Sequence, residues 1–314
     1  MDVVGRVSRK LFTAGTLAKA GIVRPTRPDR LARVAVALRR LGPTPAAGYT
    51  ASASRFPDAT AIVDDRGTLT FGEVHRRTNA LAAALAARGI REGDGVAIMC
   101  RNHRGFVEAT VACSKLGAHA LYLNTAFAGP QITEVVEREG PVALVYDDEF
   151  ENLVHDAGEG RQRFIGWHAG PGRPEHPLLE ELIADGDPAG VGPPAERGRV
   201  VILTSGTTGS PKGAQRRQPE SLDPAAALLS MIPLRAREPT MIAAPMFHSW
   251  GFAHFTLGMA LSSTLVLRRR FDPEGTLSAI AQHRCKALVG VPVMLQRILE
   301  LPADALERYD LSCL

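Results

Sequence analysis

No uninterrupted apolar run in the 314 residues approaches the roughly 18–20 residues that a membrane-spanning helix requires. Cysteine is scarce: Cys100, Cys113, Cys285 and Cys313 stand at spacings that match no metal knuckle and suggest no disulfide framework. They read as reduced, mostly buried thiols. The N-terminus is basic but lacks the apolar centre and cleavage site of a secretory signal, so the chain is expected in the cytoplasm. There is no low-complexity tract and no internal repeat. Charge of one sign is also in short supply, with a net of only +4.

That small charge is unevenly placed. Residues 1–48 carry ten Arg and Lys against Asp2 and Asp29, a net of +8, which leaves −4 for the rest. The body is therefore no nucleic-acid binder on charge grounds. In the arm only Phe12 interleaves the basic residues, which argues against stacking on bases. Leu31, Val34, Ala35, Leu38 and Leu41 recur at helical spacing, with Gly42 as a stop, and predict a basic amphipathic helix. Two uses of such an arm stand side by side: packing its stripe on the protein's own body, or lying peripherally on a membrane. Pro43 and Pro45 read as a linker behind it.

From residue 49 onward short apolar runs alternate with helical patterns and glycine stops, the signature of parallel sheets wrapped by helices. The fold class is thus α/β, with two wound α/β subdomains and a helical basic N-terminal arm. Domains are placed at 1–48 and 49–314, with a subdomain joint near 155–199. That joint is rich in Gly, Pro and charge, and only Leu178 to Ala184 reads as a helix within it.

The most informative stretch runs from Val200 to Gly213, VVILTSGTTGSPKG, where an apolar strand enters a loop of glycines and hydroxyls. Gly206, Gly209 and Gly213 let main-chain N–H groups approach an anion closely. Hydroxyls of Thr204, Ser205, Thr207 and Thr208 add donors, and Lys212 adds a mobile positive charge suited to phosphate oxygens. The spacing is not that of the nucleoside-triphosphate loop, because Pro211 falls where its second glycine belongs. A flexible surface loop would have similar composition, but not the order of apolar strand, donors and a lysine fixed after proline.

TSGTTGSPKG resembles the signature loop of the adenylate-forming superfamily. Leu69–Val74 and Lys115–Asn124 resemble its first and second core motifs. Ala244–Gly251, with the order Pro-x-Phe-His, resembles a segment of its fatty acyl-CoA synthetase branch, as do Arg270–Glu274 and Val291–Leu295. The resemblance implies the N-terminal domain of an acyl-CoA synthetase. It implies ATP, Mg2+ and coenzyme A as cofactors, a fatty acid as substrate, and an acid–thiol ligase activity of the long-chain type.

Thr204, Ser205, Gly206, Thr207, Thr208, Gly209 and Lys212 would then hold the phosphates. His248 would form a wall of the acyl and nucleotide pocket, and its alternative is a hydrogen-bonded core histidine. Phe247-His248-Ser249-Trp250-Gly251 partly imitates a hydrolase elbow, but Phe247 crowds the first glycine position. His248 and His254, six apart, do not share a metal on one helix face, and no metal ligand is assigned. Arg268-Arg269-Arg270 reads as a solvated strand end.

The family's adenine turn, its Tyr-Gly-x-Thr-Glu acid for magnesium, its ribose aspartate and its C-terminal catalytic lysine do not occur in this sequence. The resemblance places all of them beyond Leu314, so no catalytic residue is assigned. It is therefore to a truncated N-terminal portion, expected to be nearly inert alone, since each such group is typically worth about 10²–10³ in rate. Two other readings follow: a second-half polypeptide as partner, or a non-catalytic remnant that binds a membrane or partner through its arm.

Overall fold

Two sheets of mostly parallel strands build the protein, and the chain crosses between them twice. The structure, a computed structural model, describes residues 3–23, 27–204, 212–216 and 221–314. Helices α1 (Val3–Lys19), α2 (Pro28–Leu41) and α3 (Pro45–Arg55) come first. Pro45 is no linker residue: it occupies the first turn of α3, where its missing N–H costs nothing, and the Thr44 side chain caps that helix by accepting from Ala47 N.

Strands β1 (Thr60–Asp64) and β2 (Gly67–Thr70) form a hairpin, followed by α4 (Phe71–Ala87). The first core motif has a local cause. Thr70 Oγ1 accepts from Glu73 N, and Glu73 Oε2 accepts from Thr70 N at 2.7 Å, a reciprocal cap on α4. The alternation continues through β3 (Gly95–Met99), α5 (Arg104–Leu116), β4 (His119–Tyr122), α6 (Gly129–Glu139), β5 (Ala143–Asp147), α7 (Glu151–Val154), β6 (Gln162–Trp167) and α8 (Leu179–Asp185). Then come β7 (Val200–Thr204), β8 (Lys212–Arg216), α9 (Asp223–Met231), β9 (Thr240–Ile242), α10 (Ser249–Leu261), β10 (Leu265–Leu267), α11 (Pro273–His283), β11 (Ala287–Val289), α12 (Pro292–Leu299) and α13 (Ala303–Glu307).

The sheets do not divide at the expected joint. One has the order β11-β9-β10-β1-β2 and the other β6-β5-β3-β4-β7-β8, with β2 and β8 the antiparallel edges. The stretch 155–199 lies inside the second sheet, whose β4 pairs with β7 across it, Ala120 opposite Val200. It also contains a strand, β6, that pairs with β5. The change of sheet comes instead between β2 and β3 and between β8 and β9. β1 thereby pairs with β10, Ile62 opposite Leu265, two hundred residues away.

Between the sheets runs one core that joins Ile62, Ile242 and Leu265 to Val96, Ile98 and Phe106. Phe106 packs on Tyr122 at 4.8 Å and on Phe255 of α10 at 6.2 Å. Such ring pairs contribute about 0.5–1.5 kcal/mol each beyond the area they bury. The second core motif begins at Lys115, buried on α5. Its Nζ donates to His75 O, Thr78 Oγ1 and Asn79 Oδ1 on α4, while burial pulls its pKa down to about 7. All four cysteines are free and buried. Among the described residues no helix is long and apolar enough to cross a membrane.

The last residue, Leu314, is 54% exposed and closes a turn, its N–H on Leu311 O at 3.0 Å. Its neighbour Cys313 is buried with Met241, Val266 and Ile280, so this end of the chain packs on β9, β10 and α11. Leu314 is thus a surface turn position. The acid and lysine that the resemblance places beyond it have no counterpart assigned in this chain.

Candidate active site at the carboxyl ends of the two sheets

In open α/β sheets, ligands bind beyond the carboxyl ends of the parallel strands. The described site residues read from the sequence fall at such ends. Thr204 closes β7, and Lys212 opens β8 as its cross-strand partner. The two backbones at the base of the candidate loop are thus held side by side by the antiparallel ladder. Ser205, Gly206, Thr207, Thr208 and Gly209 lie outside the described residues, as do the side chains of Thr204 and Lys212. β8, KGAQR, has no apolar alternation in the sequence, and its pairing with β7 makes it a strand.

His248 belongs to the other sheet. It follows the exit of β9 and serves as the N-terminal cap position of α10, with its N–H on Pro245 O at 3.1 Å and its ring 4.7 Å from that of Phe247. The residue is exposed, so the core-histidine alternative fails at this position. The buried histidine of α10 is His254, 4% exposed, with Nδ1 3.0 Å from Trp250 O.

What joins the two carboxyl ends is the segment Cys100-Arg101-Asn102-His103-Arg104, between β3 and α5, none of which sequence reasoning singled out for the site. Asn102, buried, donates from Nδ2 to Ile242 O at 3.1 Å and Ala244 O at 2.9 Å, and accepts from Met246 N at 2.9 Å. It therefore ties the exit of β9 to the exit of β3. Arg104 grips Asp64 at the end of β1, with Nε at 2.9 Å and the backbone N at 2.9 Å from Oδ2. Burial pushes the Asp64 pKa up, but these Arg104 bonds outweigh it and hold the carboxyl below its usual range.

A third clasp corrects the reading of Arg268-Arg269-Arg270. Glu149, just past β5, takes Arg101 on both oxygens at 2.7 and 2.8 Å, Arg269 at 2.8 Å and Arg270 at 2.7 Å. The Arg269 guanidinium also lies 4.8 Å from the Trp167 ring, and that of Arg66 4.0 Å. Arg269 and Arg270 thus anchor the end of β10 to the second sheet. Hydrogen bonds from Arg101 first, then Arg270, lower the Glu149 pKa to about 2, against an opposing push from burial.

A depressed carboxylate contributes stability above its unfolded pKa and loses it as pH falls through the folded value. Glu149→Gln is therefore expected to cost about 1–2 kcal/mol at pH 7, after solvent screening. The gap between wild type and variant should narrow below about pH 4.3 and close near pH 2. Thermal midpoints taken across that range check it; a gap constant with pH would remove the charge from the explanation.

His103 completes the segment without serving as a ligand. Its Nδ1 accepts from Gly105 N at 3.0 Å, capping α5, so Nε2 carries the proton and donates to Asp147 Oδ1 at 2.7 Å. Cys100, His103 and Asp147 stand close enough to share an ion, but these bonds already occupy both ring nitrogens. Glu151, in the surface group with Glu175 and His176, is likewise engaged by Tyr146 Oη at 2.5 Å and by Arg163 at 3.2 Å. A cleft of about 480 Å³ lined by Glu92, Gly117, His119, Arg197 and Arg199 lies at the opposite, amino ends of β3, β4 and β7.

Several known proteins are similar to this chain. Feruloyl-CoA synthase of Amycolatopsis sp. is 31% identical over 247 residues, covering 78% of this chain and 48% of that protein. A CoA ligase for a methyl-dioxo-octahydroindenyl propanoate from Mycobacterium tuberculosis is 29% identical, covering 83% and 53%. The o-succinylbenzoate CoA synthetase of Bacillus subtilis, solved in complex with ATP and magnesium ion, superposes with a TM-score of 0.66 at 25% identity, covering 82% of this chain and 67% of that one. The chain spans about half the length of the curated relatives it matches. The family model described as AMP-binding enzyme matches residues 49–314, and the chain belongs to that family.

Proposed function

We propose that the protein takes part in ATP-dependent activation of a carboxylic acid and its transfer to coenzyme A. In that reaction a carboxylate oxygen attacks the α-phosphorus of ATP, and the bond to diphosphate breaks. The CoA thiol then displaces AMP from the acyl carbon. The observation that carries this reading is the placement of the Thr204–Lys212 hairpin base at the carboxyl end of β7, with family membership over residues 49–314.

Hydroxyls, glycine amides and one lysine suit a polyphosphate, so Thr204, Ser205, Gly206, Thr207, Thr208, Gly209 and Lys212 would hold the ATP phosphates. His248 would stand beside the acyl and nucleotide groups. No residue of this chain is assigned to Mg2+. That ion would neutralise phosphate charge when bound.

A fatty acid is the substrate class supported by the Pro245-Met246-Phe247-His248 segment. The relatives named above act on aromatic and ring-bearing acids, so the acid itself needs a panel. The remainder of the relatives' length, on this polypeptide or on a second one, would supply the other groups. The outer edge of β11, with Val293, Leu295 and Leu299 46–75% exposed nearby in sequence, is the surface it would use.

Nucleotide binding tests the reading. Lys212→Ala is expected to weaken ATP about ten-fold, or about 1.4 kcal/mol, while leaving adenosine unchanged. Equal losses for both ligands would remove the phosphate role. Pyrophosphate exchange, with a polypeptide covering the rest of the relatives' length supplied in trans, would then rank long-chain against aromatic acids.

A further inference from the structure

The body of the protein uses only one face of each of its first two helices. On α1 that face is Thr13, whose hydroxyl donates to Asp223 Oδ1 at 2.7 Å, with Leu17 and Ala20 buried in a cluster with Ala226, Leu229, Leu257 and Leu261. On α2 it is the buried Ala37, with Arg30 donating to Arg55 O at 2.6 Å. The sequence stripe of α2 is therefore only partly used: Leu31 remains 50% exposed and Leu38 41%.

What remains outside is apolar and positive together. Leu11, Phe12, Val23, Leu31, Val36 and Leu38 are six of the thirteen large apolar side chains exposed among the described residues. They fall within residues 11–38, which is a concentration and not the single scatter normal to protein surfaces. Lys10, Lys19, Arg33, Arg39 and Arg40 are exposed on the same two helices. The surrounding arm carries +8 while the rest of the chain carries −4.

Exposed leucine, valine and phenylalanine suit the boundary between headgroups and acyl chains, and clustered arginine and lysine suit anionic headgroups. A second copy of the arm would meet its own charge and be repelled. We propose that α1 and α2 form a docking surface for an anionic phospholipid membrane, lying on it without crossing it. The surface needs no nucleotide, so it stands or falls apart from the ligase reading.

Flotation of the full chain with vesicles tests it. Binding is expected to vesicles of phosphatidylcholine with about 20% phosphatidylserine, to exceed that to pure phosphatidylcholine, and to fall as salt rises from about 50 to about 500 mM. Phe12→Ser with Leu38→Ser should lower binding about ten-fold by removing apolar insertion. Lys10→Glu with Arg39→Glu and Arg40→Glu should do the same by removing charge. Both variants are compared at unchanged thermal midpoint, and the salt series on the wild type needs no variant. Failure of the wild type to float with anionic vesicles overturns the proposal. So does flotation indifferent to phosphatidylserine, to salt and to both variants, or variants that change only the mass of the protein in solution.

Discussion

Asn102→Leu is expected to lower the unfolding free energy by about 3–6 kcal/mol, because three buried main-chain groups lose their partner at once. The amide of Asn102 serves Ile242 O, Ala244 O and the N–H of Met246, and leucine of similar size fills the space without serving any of them. An unsatisfied buried group costs about 1–3 kcal/mol, and no water channel opens beside a side chain 6% exposed. Asn102→Asp separates the donor from the acceptor role. A carboxylate still accepts from Met246 N, but it sets negative charge against two carbonyl oxygens, so most of the loss should persist. Urea midpoints measure the total, and hydrogen exchange at the Met246 amide reports the site itself. A loss under about 1 kcal/mol with that amide still protected would mean that the two sheet exits are joined by packing alone.

The same residue shows where a sequence stops being readable. Helices α5 and α11 carry local signals in the sequence, an apolar stripe in each with Gly117 ending the first and Pro273 opening the second. Strand β6, QRFIGW, does not: its two charged or amide residues and its glycine break the apolar run, and only pairing with β5 makes it a strand. Strand partners were not legible at all, since nothing in TAIVD points to LVL two hundred residues on. The clasps failed for a related reason. Asn102, Glu149, Arg269 and Arg270 carry the chemistry of ordinary surface residues, and only the meeting of two sheets supplies their partners. The candidate phosphate loop is read from composition, because glycine, hydroxyl and lysine in that order suit a chemical need and not a packing one. Its position at a strand's carboxyl end follows from β7, which was legible too.

Gly251→Ala is expected to destabilise by about 3 kcal/mol, the upper end of the usual overpacking range, and to displace the turn that carries His248. A Cβ at this position would stand 2.2 Å from Pro245 O, 2.7 Å from Pro245 C and 2.9 Å from Ala244 O, all of them backbone. No rotamer can relieve a clash with backbone, so the first turn of α10 must back away by about 1 Å to reach ordinary contact distance. Asn102 holds Met246 N on one side of that turn, and on the other the Trp250 indole donates to Gly290 O at 3.2 Å. The strain therefore falls on bonds that hold the β9 and β11 exits.

Helix propensity alone points the other way, favouring alanine over glycine by about 1 kcal/mol. Gly15, in the middle of α1 with nothing within 4 Å of its added Cβ, isolates that term. Gly15→Ala should stabilise by about 0.5–1 kcal/mol. One substitution with opposite signs at two helical glycines, read in the same melting experiment, separates intrinsic helix preference from close approach. A stabilised Gly251→Ala protein would show that α10 does not rest on the turn carrying His248.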